Sequence, residues 1–263
     1  MDIKNGKKLV ATIEARMTSK RLPGKVLLSV CEKTMLEHLI LRLRRTEFID
    51  DIVVATTTNS SDDPIVNLCE KINCKTFRGS EEDVLSRVLG AAKSVSADVI
   101  CEITADCPLL DPQVTAQVIH TYFANQFDYV SNCQSRKTDD GSYFTYPIGM
   151  DTQVFSVECL EKSDKETDDV LDREHVSRYM IRNHNFSLCL VPAPPQLTWK
   201  GLALTLDEQM DFELIKTIYE SLYPENAAFT LEDIIRFLKQ NPDVAGLNAM
   251  IKRKEYPFEE IYL

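Results

Sequence analysis

Residues 8–25 read KLVATIEARMTSKRLPGK, an apolar run that leads directly into a basic loop. The apolar part, from Lys8 to Ala15, is typical of a buried β-strand. After Glu14 the loop carries no acidic residue but four cations, in a chain whose formal net charge is -11: Arg16, Lys20, Arg21 and Lys25. Cationic side chains and closely approaching backbone N–H groups together hold phosphate chains. The stretch therefore predicts an anion-binding loop after the first strand, with a solvated basic loop as the alternative.

Strand and helix patterns alternate over the first 125 residues. Apolar runs predict strands at 8–15, 51–56, 74–77 and 97–104, and amphipathic spacing predicts helices at 34–45, 62–72, 80–95 and 111–126. The predicted helix N-caps are Thr34, in a capping box with Glu37, Ser80 and Asp111. This alternation predicts an α/β fold with a mostly parallel sheet and helices on both faces. Such sheets bind ligands beyond the carboxyl ends of their strands.

The chain changes character between residues 132 and 195, where a polar loop is followed by short elements. The patterns predict strands at 150–156 and 186–191 and a helix at 172–183. We predict a single domain over 1–263, in which 132–195 is either an inserted arm for dimerisation and substrate binding or a small lobe. A last core strand is predicted at 201–207, before helices at 208–223 and 231–240.

Composition limits the classes of partner. A pI of about 4.9 disfavours general binding to nucleic acid or to an anionic membrane, because both would be repelled outside a local basic site. No apolar run approaches the roughly 20 residues of a membrane-spanning helix, and no signal-peptide core follows the N-terminal MDIKNGKK. We expect a cytoplasmic protein. Its eight cysteines form no C-x-x-C pair and are interpreted as reduced, small hydrophobic residues.

Two carboxylates follow predicted strands at the edge where a ligand is expected. Asp106 comes after the strand at 97–104, and Asp207 ends the run at 201–207. Carboxylate oxygens suit Mg²⁺, although either aspartate alone fits a turn or a helix cap equally well. Together with the basic loop, they indicate phosphoryl or nucleotidyl transfer. The chain lacks both the G-x-x-x-x-G-K-[ST] and the G-x-G-x-x-G patterns, so neither a P-loop ATPase nor a dinucleotide-dependent dehydrogenase is indicated.

Seven segments, in this order and spacing, resemble one known family: ARMTSKRLPGK, ATTTNSSDDPIV, FRGSEEDVLSR, ITADCPLLDP, GMDTQVFS, DREHVSRYMI and TLDEQMDFELI. They are similar to the cytidylyltransferase family of the spore-coat polysaccharide biosynthesis protein F type, which is related to the CMP-Kdo and CMP-sialic acid synthetases. The resemblance runs from about Leu9 to Tyr223. It implies a Rossmann-like fold of the nucleotide-diphospho-sugar transferase, glycosyltransferase-A-like type. It also implies a homodimer that uses CTP and Mg²⁺ to convert a sugar acid into a CMP-sugar for surface glycans.

The resemblance also implies roles for individual residues. The implied nucleotide-binding residues are Ala15, Arg16, Ser19, Arg21, Lys25, Thr56, Arg78, Gly79, Ser80, Asp83 and Asp106. The implied catalytic residues are Arg16, Lys25, Asp106 and Asp207, with Asp106 and Asp207 as the metal ligands. Asp151 would border the sugar, and Glu174 and His175 would bind the substrate from the sugar side or belong to a dimer contact. A cation for the sugar carboxylate would come from Arg136, Lys137, Arg173 or Arg178. Arg87 belongs either near the nucleotide or in a helical pair with Asp83.

One position departs from the family pattern, because Glu102 stands where family members usually carry arginine. Three alternatives therefore stay open. A sugar-1-phosphate nucleotidylyltransferase would share the fold but use a phosphate as acceptor. A glycosyltransferase is disfavoured, because the turn at Asp106 lacks the Asp-x-Asp pattern. A nucleotide-binding homologue without turnover is the third alternative.

Overall fold

A seven-stranded sheet forms the centre of the computed structural model, which describes residues 3–133 and 146–253. Its strands follow the order β5-β4-β1-β6-β8-β7-β9, and a separate hairpin pairs β2 with β3. The strands are β1 (Leu9–Glu14), β2 (Ser29–Val30), β3 (Lys33–Thr34), β4 (Asp51–Thr57), β5 (Lys75–Gly79), β6 (Val99–Thr104), β7 (Tyr129–Ser131), β8 (Gln153–Ser156) and β9 (Leu188–Leu190).

Strand direction confirms the predicted mixed, mostly parallel sheet. β1 pairs in parallel with β4 and β6, β4 with β5, and β7 with β9, whereas β8 runs antiparallel to β6 and β7. Two strands of the predicted arm or lobe, β8 and β9, are therefore members of the main sheet. The assignment of 132–195 to an arm stays a prediction, and residues 134–145 within it lie outside the described residues.

Ten α-helices surround the sheet within the described part of the chain. They are α1 (Met35–Leu43), α2 (Asp63–Lys71), α3 (Val84–Ser94), α4 (Pro112–Ala124), α5 (Val157–Glu166), α6 (Val170–Glu174), α7 (Arg178–Arg182), α8 (Gln209–Leu222), α9 (Leu231–Gln240) and α10 (Pro242–Ala245). Short 3₁₀ turns occur at Lys25–Leu27, Ser60–Asp62 and Pro195–Leu197. Over residues 3–133 and 146–253, no helix has both the length and the apolar character needed to cross a bilayer.

The two faces of the sheet bury different side chains, because successive residues of a strand point to opposite faces. In β1, Leu9, Ala11 and Ile13 pack with residues of α1 and α4 in the largest core cluster. The alternate residue Val10 packs with residues of α3 on the other face. Thr12 and Glu14 follow Val10 on that α3 face, so the period of two places a carboxyl group inside the fold.

Local capping signals fix most helix starts, with one correction. The side chains of Thr34 and Asp111 accept backbone hydrogen bonds at the starts of α1 and α4, as predicted. Ser80 was wrongly predicted to cap the third helix. Its hydroxyl accepts from the Asp83 backbone N–H at 3.0 Å, and Asp83 itself caps α3. Residues 80–83 therefore form a turn before the helix. Of the two candidate caps, Asp83, which directly precedes the apolar residues Val84 and Leu85, is the N-cap.

The helix predicted at 172–183 is divided into α6 and α7. Val176, between them, has φ of +41°, which a β-branched residue adopts only under tertiary constraint. It is also buried in the cluster that packs against α3 and α5. The apolar periodicity continues across the break, so the pattern could not reveal it.

The segment 201–207 is extended but is not a strand of the main sheet, which corrects the prediction. Leu202, Leu204 and Leu206 pack in a separate apolar cluster with α8 and α9. A single bridge joins Ile148 to Ala203, and the Leu206 N–H donates to the Asp106 carbonyl at 2.8 Å. The alternating leucines produced the pattern of a strand, although these side chains are buried against α8 and α9 and not within the sheet. Asp207 is not the N-cap of α8, because it lies one residue before the cap, which is Glu208.

Candidate active site

The carboxyl ends of β1, β4, β5 and β6 meet at one edge of the sheet, and backbone hydrogen bonds join them. Ala15 N–H donates to the Ala55 carbonyl at 3.3 Å, and Ala105 N–H donates to the Glu14 carbonyl at 3.0 Å. Ala15 is therefore buried where the basic loop begins. The segments that carry Arg16 and Asp106 are thus held side by side, as expected for a ligand-binding edge.

Asp62 holds the basic loop in place through hydrogen bonds, and it was not predicted as a site residue. It is fully buried, and its Oδ1 accepts from the Met17 N–H at 2.8 Å. Its Oδ2 accepts from the Thr57 N–H and the Thr56 hydroxyl, each at 3.2 Å. Thr56, predicted to bind nucleotide, is likewise buried and serves this contact. One carboxylate therefore ties the loop after β1 to the end of β4.

Lys25 joins the two aspartates predicted as metal ligands. Its Nζ lies 3.0 Å from Asp106 Oδ2 and 2.9 Å from Asp207 Oδ1. Burial would raise the pKa of Asp106, but Lys25 and a hydrogen bond with Thr104 hold it below its ordinary value. Burial would lower the pKa of Lys25, but the two carboxylates raise it above its ordinary value. Lys25 and Asp106 are therefore charged near neutral pH, and the side chain of Asp207 converges on the same cation.

The donor set at Asp106 and Asp207 fits a magnesium ion that is shared with phosphate. Mg²⁺ commonly takes one or two protein carboxylates and completes its shell with phosphate oxygens and water. Across the described ranges no group of three or more His, Cys, Asp or Glu side chains is suited to hold a metal. A metal here would consequently need oxygen ligands from a substrate or from water.

Two further cations of the basic loop, Arg16 and Arg21, also face carboxylates. Arg21 lies 3.1 Å from Asp207 and 3.4 Å from Glu208, and Arg16 lies 3.5 Å from Glu81. Glu81 also accepts from the Thr18 hydroxyl at 2.7 Å, and hydrogen bonds from Thr18 and Asn59 lower its pKa. The sequence showed an uncompensated basic loop, whereas the fold supplies its counter-charges from distant segments. Ser19 lies in the same loop, partly exposed.

The FRGS segment at the end of β5 supports the neighbouring loop. The guanidinium of Arg78 donates to the Thr57 carbonyl at 2.8 Å and the Asn59 carbonyl at 2.7 Å, and it pairs with Asp63 at 2.7 Å. A Cβ on Gly79 would lie 3.0 Å from Cγ of Arg87, so the helix side chain passes close above it. Ser80 is exposed in the following turn. In this structure the Arg78 side chain thus holds the loop after β4.

Asp83 and Arg87 do not pair with each other, which excludes the helical ion pair considered from their spacing. Asp83 forms a bidentate ion pair with Arg173, whose Nε lies 2.9 Å from Asp83 Oδ1. Arg87 instead donates to the backbone carbonyls of Ser80 and Glu81. Asp83 therefore joins α3 to α6, and Arg87 holds the turn before α3.

Asp151, predicted to border the sugar, lies two residues before β8. Its Oδ2 accepts from the Gly149 N–H at 3.0 Å. Gly149 has φ of +99°, and a Cβ there would meet the Leu204 and Thr205 backbone at 2.8 Å, so only glycine fits. Burial, assisted by the charge of Asp106, raises the pKa of Asp151 to about 6.

The remaining predicted substrate residues lie near α6. Glu174 is exposed at the end of this helix, and His175 follows it as the C-cap. Arg173 is engaged with Asp83 and Asp164, and Arg178 with Asp169 and Asp172. The other two candidate cations, Arg136 and Lys137, lie outside the described residues.

A family model described as Cytidylyltransferase matches residues 10–241 of the chain. The chain belongs to the cytidylyltransferase family. This confirms the family inferred from the seven sequence segments. Over 89% of its length the chain is 32% identical to the spore coat polysaccharide biosynthesis protein SpsF of Bacillus subtilis, of which the match covers 95%.

Two further proteins place this cytidylyltransferase among its relatives. A solved structure of a cytidylyltransferase from Leptospira borgpetersenii matches with a TM-score of 0.84 and 30% identity, covering 94% of this chain and 100% of that one. The 3-deoxy-manno-octulosonate cytidylyltransferase of Pelobacter propionicus is 31% identical over 42% of this chain and 43% of its own length. The predicted nucleotide-sugar transferase fold is therefore confirmed.

Asp211 positions Asp207 in this cytidylyltransferase, although sequence reasoning did not single it out. Its carboxylate is fully buried and accepts from the backbone N–H groups of Asp207 at 3.0 Å and Glu208 at 2.9 Å. Asn248 and Arg253 also donate to it, at 2.8 Å and 2.6 Å. The signal was the capping box at the start of α8, since Asp211 is its third helical residue.

Replacement of Asp211 with alanine should lower the free energy of unfolding by about 3 kcal/mol, because it leaves Arg253 and two backbone donors without their buried acceptor. Urea denaturation monitored by circular dichroism would measure the loss. The matched control is Asp233→Ala, in the corresponding capping box of α9, where the carboxylate is partly exposed. That change should cost about 1 kcal/mol. Equal losses in the two variants would contradict a special role for Asp211.

Proposed function

We propose that this protein is a CMP-sugar synthetase, which transfers the cytidylyl group of CTP to a hydroxyl group of a sugar acid and releases pyrophosphate, for surface glycan synthesis. The observation that carries the proposal is the cluster of Lys25, Asp106 and Asp207 beside a basic loop, in a chain of the cytidylyltransferase family. The similarity to a spore coat polysaccharide biosynthesis protein and to a 3-deoxy-manno-octulosonate cytidylyltransferase supports this substrate class.

The basic loop would bind the triphosphate by exchanging its partners. Arg16, Arg21 and Lys25 now face carboxylates, so the loop presents ion pairs in place of bare positive charge. A phosphate oxygen offers guanidinium and ammonium groups the same kind of charge-assisted hydrogen bond. Triphosphate binding then leaves these cations on the phosphate chain, where they stabilise the charge that grows on the leaving pyrophosphate.

Asp106 and Asp207 would hold Mg²⁺ once Lys25 has turned to the phosphates. The bound ion would supply neutralisation of phosphate charge at the reacting end of the nucleotide. The Lys25 ammonium keeps the two carboxylates converged in its absence, so the site is already arranged for a cation. Asp211 holds the backbone N–H of Asp207 and thereby limits the reorganisation that is needed.

Asp151 would accept a hydrogen bond from the sugar hydroxyl on the acceptor side. With a pKa of about 6, it is a carboxylate at neutral pH, and the Gly149 N–H fixes one of its oxygens. Glu174 and His175 would border the same substrate from the end of α6. The resemblance further supports a homodimer that acts in the cytoplasm.

The test is pyrophosphate release with Mg²⁺, with CTP, UTP, GTP and ATP each offered together with 3-deoxy-2-ulosonic acids or sugar 1-phosphates. We expect release with CTP and an ulosonic acid, and none in the presence of EDTA. Release with sugar 1-phosphates alone would assign the protein to the sugar-1-phosphate nucleotidylyltransferases. Nucleotide binding measured by calorimetry, without release for any pair, would support a homologue that binds but does not turn over.

A further inference from the structure

A second basic site lies away from the basic loop, between α1 and α8. There a cavity of about 280 Å³ is lined by three arginines of α1 and its C-terminal end, together with the rings of His38, Tyr219 and Tyr223. The arginines are Arg42, Arg44 and Arg45. Among the described residues no acidic side chain lines this cavity, although the chain as a whole carries a net charge of -11.

Arg42 is the buried member of this group, and it has no carboxylate partner within residues 3–133 and 146–253. It is 2% exposed, its Nε donates to the Leu110 carbonyl at 2.6 Å, and its Nη2 donates to the Phe229 carbonyl at 2.9 Å. Its Nη1 is buried with no hydrogen-bond partner in the described structure. A buried charge without a counter-ion, and with an unpaired N–H group, is unfavourable unless a ligand completes it.

Arg44 and Arg45 extend the positive charge toward solvent. Arg44 donates to the Ile72 and Asn73 carbonyls, and Arg45 donates to the Ala227 carbonyl. Of the twelve arginines in the described residues, eight form ion pairs, and three of the four that do not are these cavity arginines; the fourth is Arg87. Burial and the neighbouring Arg42 lower the pKa of Arg45. The three arginines therefore line one cavity without forming an ion pair among the described residues, and Arg44 also lines a neighbouring cavity that contains Asp50 and Asp51.

The aromatic residues give the cavity an apolar wall. His38 lies 4.0 Å from the Tyr219 ring and 5.2 Å from the Tyr223 ring, measured between centroids. Burial lowers the pKa of His38, so its ring is neutral near pH 7 and belongs to this wall. The volume lies at the small end of ligand pockets, which span about 300–1,000 Å³.

We propose that this cavity is a second ligand site that binds a small organic phosphate monoester, with the phosphate dianion on the arginines and the organic body against the tyrosine rings. Guanidinium groups recognise phosphate through paired N–H donors, and an aromatic wall favours a flat or apolar body. The site is separate from the basic loop, in which Arg16, Arg21 and Lys25 already have carboxylate partners.

An occupant of this cavity would act on the loop that carries Asp106. Arg42 holds the Leu110 carbonyl, and the Tyr219 hydroxyl donates to the Pro108 carbonyl at 2.6 Å. Both contacts lie within five residues of Asp106. An effect of the bound phosphate monoester on turnover would rest on the proposed function. Its binding to the cavity does not, so binding is the quantity to measure.

Calorimetric titration with phenyl phosphate at constant ionic strength tests the site. Arg44→Gln/Arg45→Gln removes two exposed cations, and Arg16→Gln/Arg21→Gln is the matched control in the basic loop. We expect at least a tenfold weaker affinity in the first variant and retained cavity binding in the second. Tyr223→Leu, which keeps all the charges, should also weaken binding. Unchanged affinity in Arg44→Gln/Arg45→Gln, or no binding to the unmodified protein, would overturn the proposal.

Discussion

Asparagine in place of Asp106 should lower the rate of pyrophosphate release by about 10³-fold, while the affinity for CTP changes by less than about tenfold. Asparagine keeps the shape of the side chain but removes the charge that faces Lys25 at 3.0 Å. Loss of that charge weakens a cation site at the reacting phosphate more than it weakens binding of the whole nucleotide. Steady-state pyrophosphate release and CTP titration of the same preparation would separate the two effects.

Asp243→Asn is the matched control, because this aspartate is exposed on α10 and its removal also takes away one negative charge. It should leave turnover unchanged. Since Lys25 and Thr104 hold the pKa of Asp106 below its ordinary value, the unmodified enzyme should keep its Asp106 charge throughout the neutral range. Full turnover in Asp106→Asn would contradict both the metal assignment and the catalytic role.

The alternation of strands and helices was predictable because each signal is local. Apolar runs gave β1, β4, β5 and β6, and short-range capping chemistry gave the start of α4 at Asp111. Asp106 and Asp207 were predicted together from the rule that ligands bind beyond strand ends. That pairing survived even though 201–207 is not a strand of the sheet, because the buried leucines still keep the segment extended beside Asp106.

The electrostatic balance of the site could not be predicted from the basic loop itself. The partners of Arg16 and Arg21 come from Glu81, Asp207 and Glu208, which lie 65 to 187 residues further along the chain. Asp62 shows the same limitation, since only the folded chain brings the Met17 N–H to its carboxylate. Charge counts along the sequence describe the loop, whereas charge in the site is a property of tertiary structure.

Glu102, the departure noted in the sequence, belongs to a row of buried polar residues on the α3 face of the sheet. The strand register places Thr12, Glu102, Gln153 and Ser131 side by side across β1, β6, β8 and β7. Five of the six buried side-chain atoms that lack partners in the described residues belong to this row and its neighbours: Thr12 Oγ1, Glu14 Oε1, Arg87 Nε, Glu102 Oε2 and Ser131 Oγ.

Glu14 and Glu102 are neighbouring carboxyl groups on this face, and we expect them to share a proton. Glu102 is buried and Glu14 is half-buried, and their side chains lie within hydrogen-bonding reach, where a hydrogen bond between them requires one to be protonated. Burial raises the pKa of both groups, and the charge of Glu14 raises that of Glu102 further. Arg87 favours the charged form of Glu14, so the proton is expected on Glu102. The pair explains how a carboxyl group is tolerated inside the sheet at this position.

Glutamine in place of Glu102 should stabilise the protein, and the gain should increase with pH. A carboxyl group whose pKa is higher in the folded state than in the unfolded state contributes stability below its unfolded pKa and loses it as the pH rises through the folded pKa. The unmodified protein should therefore lose stability above the ordinary glutamate pKa of about 4.3, whereas Glu102→Gln keeps the hydrogen bond without a titrating group. We expect a gain above about 1 kcal/mol at pH 8, since each unit of pKa shift corresponds to about 1.4 kcal/mol.

Urea denaturation at pH 5, 7 and 8 would measure this difference, with Glu70→Gln as the control on the exposed surface of α2. The control should show only a small change in stability at each pH, because the Glu70 side chain is exposed. Glu14→Gln should also remove much of the pH dependence but should stabilise less, because it takes away the negative charge that Arg87 faces. A constant difference between Glu102→Gln and the unmodified protein across this range would show that the pair holds no shared proton.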